Sequence, residues 1–127
     1  MKYLMDTHVI IWLACDSDEL PKSIRKIIEQ PENDIYICSA SLWEIAVKAN
    51  LGKLKLKQPL DKLLSDIKNS GFNVLQIETA YLCKLLELPY IHKDPFDRLL
   101  ISTALVEDLI IITTDENIQK YDVPFLW

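Results

Sequence analysis

Two kinds of hydrophobic pattern alternate along this chain. Short runs rich in Ile, Leu, Val and Tyr predict strands, and longer segments with apolar residues three or four positions apart predict helices. The predicted strands cover residues 2–5, 35–38, 74–77, 109–113 and 123–126, the last of them at a sheet edge. This alternation predicts an α/β fold in which a central, mostly parallel sheet of about five strands is flanked by helices.

Proline and glycine mark the ends of several helices between these strands. Pro21 and Pro95 occupy first-turn positions, and Gly52 and Gly71 stand where helices should end. The predicted helices cover residues 7–14, 21–30, 41–50, 59–70, 79–86, 95–107 and 116–120. In the helix 95–107 the spacing predicts four inward-facing side chains: Leu99, Leu100, Thr103 and Val106.

Length and composition narrow the class of protein. The 127 residues predict one domain spanning 1–127, and a 50% hydrophobic content is ample for a core. The net charge of −5 argues against a protein that coats nucleic acid through its overall field. It leaves room for an enzyme that acts on phosphodiesters, because a bound cation inverts the local field. With only two glycines, the chain has neither a P-loop nor a GxGxxG motif.

The cysteines and the apolar runs bear on location. The three cysteines are odd in number, widely spaced and without zinc-ligand spacing, which suits a reducing compartment. The longest apolar run, 9–15, is too short to span a bilayer. It ends at Cys15 like a lipoprotein signal, but Asp6 and His8 interrupt the apolar region, and we reject that interpretation. We therefore expect a cytoplasmic protein.

Four acidic residues lie where predicted strands give way to helices: Asp6, Glu44, Asp97 and Asp115. In a parallel α/β sheet such junctions gather at the carboxyl edge, where ligands bind. Four carboxylates brought together there would repel one another unless a cation lay among them. Oxygen ligands of this kind are those that Mg²⁺ prefers. The pattern therefore predicts a metal site.

Helix capping is the alternative explanation for each acid taken singly. Ser41 and Glu44 have the spacing of a capping box, and Asp94 before Pro95 has that of an N-cap. Asp6 and Asp115 are also placed to cap the helices that follow them. Capping does not explain why small hydroxyl residues, which can orient carboxylates, cluster beside the acids. These residues are Thr7, Ser39, Ser41, Thr113 and Thr114.

Four segments resemble motifs of the PIN-domain family, and most closely those of the VapC-like toxins of bacterial toxin–antitoxin pairs. They read MDTH at 5–8, SASLWEIAVK at 39–48, HKDPFDRLLI at 92–101 and ITTDE at 112–116. The resemblance implies a PIN-like three-layer fold and an endoribonuclease that depends on Mg²⁺ or Mn²⁺. It also implies a small antitoxin partner and a homodimer, for which Ile11 and Trp12 could supply exposed apolar contacts. The implied metal-binding and catalytic residues are Asp6, Glu44, Asp97 and Asp115, and Asp94 is interpreted as a helix cap.

The sequence alone leaves other functions and further candidate site residues open. A nuclease that acts on DNA, a PIN protein active in RNA processing without a toxin role, and a non-catalytic PIN scaffold are the alternatives. An aspartyl phosphotransferase is disfavoured, because Asp6 lacks a second aspartate two residues later. Possible phosphate contacts are Lys48, Lys53, Lys55, Lys57, Lys93 and Arg98. Lys48 could instead pair with Glu44. His8 and His92 could contact substrate, but a lone histidine more often has a structural role.

Overall fold

Five parallel strands form the middle layer of the protein, of which the computed structural model describes residues 1–127. The strands are β1 (Lys2–Met5), β2 (Asp34–Cys38), β3 (Asn73–Leu75), β4 (Ile110–Ile112) and β5 (Phe125–Leu126). The helices are α1 (Thr7–Ala14), α2 (Lys22–Glu29), α3 (Ser39–Asn50), α4 (Leu60–Asn69), α5 (Thr79–Glu87), α6 (Pro95–Glu107) and α7 (Glu116–Gln119). The predicted three-layer α/β fold is confirmed, with a sheet that is wholly parallel.

The strand order is β3-β2-β1-β4-β5, which places the first strand in the centre. Tyr3 lies opposite Ile35 of β2 on one side and opposite Ile110 of β4 on the other. The chain builds outward from β1 through β2 to β3, then returns to add β4 and β5 on the opposite side. The order therefore reverses between β1 and β4, and such a switch point is where open α/β sheets bind ligands.

Each face of the sheet has its own hydrophobic core. Because side chains alternate along a strand, Tyr3 and Met5 enter one core and Leu4 enters the other. The first core is closed by α1, α2 and α4, and the second by α6 and α7. Strand β4 is a run of three isoleucines, as expected for a strand covered on both faces.

Two predicted details of the helices are wrong. Helix α3 begins at Ser39, directly after β2, and not at Ser41. Val106 on α6 is 39% exposed, whereas Ile101 and Ala104 are buried. Since successive helical residues are about 100° apart, Val106 lies some 200° around the helix from Ala104. The other predicted inward positions on α6 are buried or half-buried.

The surface of α1 also differs from the prediction. Ile11 and Trp12 are half-buried and pack against the first core, so they are not the exposed contacts that we expected. Trp12 also packs against Trp127, with ring centroids 5.8 Å apart. No helix of the structure is both long enough and apolar enough to cross a membrane.

Candidate metal and catalytic site

The four predicted acids are held by four different parts of the fold. Asp6 directly follows β1, and Asp115 follows β4 by three residues. Asp97 lies in the first turn of α6, and Glu44 lies in the middle of α3. Since β1 and β4 are parallel neighbours, Asp6 and Asp115 leave the sheet together at its carboxyl edge, on the two sides of the switch point.

Thr113 connects the acids of the two central strands. Its Oγ1 donates to Oδ2 of Asp6 at 2.8 Å and accepts from the backbone N–H of Asp115 at 3.0 Å. Oδ1 of Asp6 accepts from the backbone N–H of Thr7 at 2.6 Å. Both oxygens of the buried Asp6 are thus fixed in direction by the chain around them.

Glu44 is joined to the same cluster through Thr7. Oγ1 of Thr7 donates to Oε1 of Glu44 at 2.6 Å, and Nζ of Lys48 donates to Oε2 at 2.5 Å. Burial opposes the charge of Lys48, but the hydrogen bond and the charge of Glu44 outweigh it and raise the pKa of the lysine. The negative charges of Asp94 and Asp97 act in the same direction. The expected pairing of Lys48 with Glu44 is therefore confirmed, and Lys48 faces the acidic cluster.

Asp6, Asp97 and Asp115 are close enough for their charges to interact. The pKa of Asp97 is raised from 3.8 to about 7, chiefly by burial. The charges of Asp94, Asp6 and Asp115 contribute to this rise, and a hydrogen bond from His92 opposes it. Burial also raises the pKa of Asp6, and the charge of Asp115 adds to that rise. Carboxylates that are costly to ionise here would gain from a neighbouring cation.

Capping explains some acids of the region and not others. Asp115 accepts from Asn117 N–H at 2.8 Å and caps α7, and Asp94 accepts from Phe96 and Asp97 N–H and caps α6. The cap assigned to Asp94 is therefore confirmed. Asp6 bonds only the adjacent Thr7 N–H on its own helix, where a cap would reach the second or third residue.

The predicted capping box of α3 is wrong. Because α3 begins at Ser39, both Ser41 and Glu44 lie inside the helix, and no side chain caps its first residues. Glu44 and Asp97 therefore cap no helix, and Asp6, which stands at the N-cap of α1, bonds only the first N–H of that helix. Of the five hydroxyl residues beside the acids, Thr7 and Thr113 make the expected bonds to carboxylates.

The structure gives several of the predicted phosphate contacts a structural explanation instead. Arg98 is largely buried, and its Nη1 donates to the Pro89 carbonyl at 2.9 Å and to the Tyr121 hydroxyl at 3.0 Å. Arg98 is therefore a structural residue, and the prediction that it contacts phosphate is wrong. Lys53, Lys55 and Lys57 are exposed, while Leu54 and Leu56 between them pack on the first core. That alternation is typical of a half-buried extended segment, which accounts for these lysines without a role in phosphate binding.

The carboxylates interact but do not form a finished metal cage. No group of three or more His, Cys, Asp or Glu side chains is close enough together to hold a metal ion. This arrangement still fits Mg²⁺, which usually takes one or two carboxylates and completes its shell with water and substrate oxygens. The donors are all hard oxygens, and burial and neighbouring carboxylates oppose the ionisation of two of them, Asp6 and Asp97. The residues present therefore fit a divalent cation.

His92 makes a contact in the site that the sequence did not predict. Nε2 of His92 contacts Oδ2 of Asp97 at 3.0 Å, and Nδ1 contacts the Tyr121 hydroxyl at 2.9 Å. The spacing of His92 and Asp97, which spans the turn into α6, gave a weak signal for the first contact. Nothing local in the sequence connects His92 to Tyr121, which lies 29 residues away.

A three-layer α/β fold with carboxylates at the switch point of its sheet defines a class of proteins with a candidate ligand site at this edge. Comparison with known families identifies the class: the model of the PIN domain matches residues 3–124. The chain belongs to the PIN-domain family.

Similar proteins agree with that assignment. The chain is 25% identical to Ribonuclease VapC22 of Mycobacterium tuberculosis (strain ATCC 25618 / H37Rv) over 126 residues, which is 95% of this chain and 92% of that protein. A chain in the DNA-bound VapBC2 structure from Rickettsia felis superposes with a TM-score of 0.77 at 20% identity, covering 100% of this chain and 99% of that one. One in DNA-bound VapBC from Salmonella typhimurium gives 0.71 at 17% identity, covering 99% and 97%. These structures show that the fold is shared.

Proposed function

We propose that this protein is a metal-dependent endoribonuclease, the toxin of a toxin–antitoxin pair, with Asp6, Glu44, Asp97 and Asp115 as its metal-binding and catalytic residues. The observation that carries the proposal is the meeting of buried Asp6 and Asp97 with Asp115 at the switch point of the sheet. Membership of the PIN family and similarity to a protein named as a ribonuclease support it.

The four acids would hold one or two Mg²⁺ or Mn²⁺ ions. A bound divalent ion lowers the pKa of a coordinated water and neutralises negative charge that develops on a reacting phosphate. Thr7 and Thr113 keep the carboxylates of Glu44 and Asp6 in fixed directions, so that less reorganisation is needed when substrate binds. Lys48 supplies a positive charge beside Glu44. Attack by water in line with the leaving oxygen yields a 5′-phosphate and a 3′-hydroxyl.

A toxin role requires a partner that silences the site. The relatives by structure include VapBC complexes, and we infer a small antitoxin for this chain. A cavity of about 730 Å³ between α1, α2 and α4 is lined by apolar side chains such as Ile10, Ile28 and Leu63 and by charged ones such as Arg25 and Asp66. None of the four acids lines it, so an antitoxin seated there must extend further to place a basic side chain among them.

A homodimer and a cytoplasmic location complete the proposal, with residues 1–127 acting as a single PIN domain. Because Ile11 and Trp12 are half-buried, the dimer contact must lie elsewhere. Leu86 is 89% exposed on α5, and Tyr90, just after that helix, is 73% exposed. Large apolar side chains left this open are typical of an interface.

The test compares two aspartates at the start of α6, Asp94 at its N-cap and Asp97 in its first turn. Wild-type protein should cleave RNA with Mg²⁺ or Mn²⁺ and stop when EDTA is added. Asp97→Asn keeps the shape of the side chain but loses its charge, so cleavage should fall by orders of magnitude. Asp94→Asn should keep most activity, because asparagine caps a helix about as well as aspartate.

The same experiment separates the alternatives. Preference for a DNA substrate of matched sequence would favour a nuclease that acts on DNA. Absence of cleavage of any nucleic acid by folded protein that binds Mn²⁺ would favour a non-catalytic scaffold. Cleavage that survives EDTA and Asp97→Asn, after repurification to exclude contaminating nucleases, would contradict the proposal.

A further inference from the structure

A continuous line of polar contacts runs from a buried arginine to one of the proposed metal ligands. Nη1 of Arg98 donates to the Tyr121 hydroxyl at 3.0 Å. That hydroxyl lies 2.9 Å from Nδ1 of His92, and Nε2 of His92 lies 3.0 Å from Oδ2 of Asp97. The side chains of His92 and Asp97 are each only 12% exposed. Water therefore has limited access to this line.

The directions of these hydrogen bonds follow from counting donors and acceptors at Tyr121. A hydroxyl oxygen has two lone pairs and one hydrogen. Nη1 of Arg98 can only donate, and it occupies one lone pair. The backbone N–H of His92 also donates to this oxygen, at 3.4 Å, and occupies the second. The hydrogen of Tyr121 is then left to point at Nδ1 of His92, which must accept it.

An imidazole that accepts at Nδ1 carries its hydrogen on Nε2, the nitrogen that faces Asp97. We propose that Tyr121, oriented by Arg98, fixes His92 as the Nε2–H tautomer, and that His92 thereby acts as a positioning residue which donates to Oδ2 of Asp97. The role of this contact in catalysis rests on the proposed function; the direction of the hydrogen bonds does not.

The arrangement has a consequence for the proposed ligand. With Oδ2 of Asp97 engaged by His92, Oδ1 makes no hydrogen bond within the protein. His92 thus turns the carboxylate so that one defined oxygen remains for a cation. Ligating groups are commonly oriented in this way by a partner, and removal of such a partner typically weakens metal affinity or activity by roughly 10–100-fold.

Arg98 is suited to this purpose because no carboxylate competes for it. Its other contacts are the Pro89 carbonyl and the ring of Tyr90, whose centroid lies 4.7 Å from the guanidinium carbon. A permanently charged donor with no acidic partner polarises the Tyr121 hydroxyl and strengthens the bond that follows it. The residue that we expected to contact phosphate therefore supports the site from within.

Nitrogen-15 NMR of the histidine side chains tests the hydrogen-bond directions without any assay of activity. The protein is labelled, metal is removed with EDTA, and His92 is assigned by its loss in His92→Gln. In wild type, at a pH where the imidazole is neutral, the proton should reside on Nε2. A dominant Nδ1–H tautomer, or an imidazole that stays doubly protonated wherever the protein is folded, would overturn the proposal.

Substitutions test the positioning role. Tyr121→Phe should allow the Nδ1–H tautomer of His92 to appear and should weaken Mn²⁺ binding, measured by electron paramagnetic resonance, by roughly tenfold. The matched control is Tyr81→Phe, which removes a hydroxyl that donates to Glu107 at 2.8 Å away from the acids. Tyr81 and Tyr121 are both buried, so lost packing should affect the two variants alike.

The conservative variant at His92 completes the test. His92→Ala should lose Mn²⁺ affinity by roughly 10–100-fold, and His92→Gln should recover most of it, because its amide can donate to Asp97. Mn²⁺ affinity in His92→Ala equal to that of wild type would refute the positioning role. If instead the Nε2–H tautomer is found and wild type cleaves no RNA, the proposed function fails while the hydrogen-bond assignment stands.

Discussion

The substitution Asp97→Asn should stabilise the metal-free protein, and the gain should depend on pH. The pKa of Asp97 is raised from 3.8 to about 7, first by burial and then by Asp94, Asp6 and Asp115. Because the pKa is raised, the folded state binds more protons than the unfolded state between pH 3.8 and about pH 7. The contribution of Asp97 to stability is therefore fully present below about pH 4 and is lost as the pH rises through about 7.

The size of the effect follows from the same shift. A rise from 3.8 to about 7 corresponds to ~4 kcal/mol at neutral pH and above. Asparagine should recover only part of this, because the repulsion is shared among several carboxylates. Its amide oxygen can still accept from His92. We expect Asp97→Asn to be more stable than wild type by ~1–2 kcal/mol at pH 8 and about equal at pH 4.

Urea denaturation followed by circular dichroism measures this difference. Both proteins are unfolded in EDTA at pH 4.5, 6 and 8, and the free energies of unfolding are compared. Asp122→Asn is the control, since Asp122 is exposed and makes no hydrogen bond or ion pair. A stability difference that does not change with pH, or a variant that is less stable than wild type at pH 8, would refute the electrostatic reasoning.

Three further predictions concern the metal, the cell and the assembly. Mg²⁺ or Mn²⁺ should raise the melting temperature of wild type, since a ligand that binds only the folded state stabilises it. The same ions should raise the melting temperature of Asp97→Asn much less, and equal gains would argue against Asp97 as a ligand. Expression alone should arrest bacterial growth, and co-expression of an adjacent small antitoxin gene should relieve it; normal growth with soluble, metal-binding protein would count against the toxin role. Light scattering should give a dimer mass at micromolar concentration that falls to a monomer in Leu86→Glu; a wild-type monomer throughout would contradict the homodimer.

The order and type of the elements could be predicted because their signals are local. The triple isoleucine of β4, the short apolar run of β1 and the Asp94–Pro95 start of α6 each carry the pattern of one element. The meeting of Asp6 with Asp115 followed from a topological rule, since both lie at carboxyl ends of parallel strands. That part of the site required no knowledge of packing.

The features that sequence analysis missed depend on contacts between distant residues. Arg98 has the composition of a phosphate contact, but its guanidinium is captured by Tyr121, which the fold brings across from beyond α7. The early start of α3 at Ser39 leaves no room for a capping box, and only the direct junction with β2 shows this. Hydrogen-bond partners set by tertiary packing cannot be inferred from spacing alone.

Analysis of the ends of the cleaved RNA tests most directly the claim that the acidic cluster supports hydrolysis by water. A short labelled RNA is cut by wild-type protein in Mg²⁺, with Asp97→Asn as the inactive control, and the fragments are treated with phosphatase and ligase. Our account predicts fragments with 5′-phosphate and 3′-hydroxyl ends. Fragments with 2′,3′-cyclic phosphate and 5′-hydroxyl ends would show that the RNA 2′-hydroxyl is the nucleophile and would contradict it.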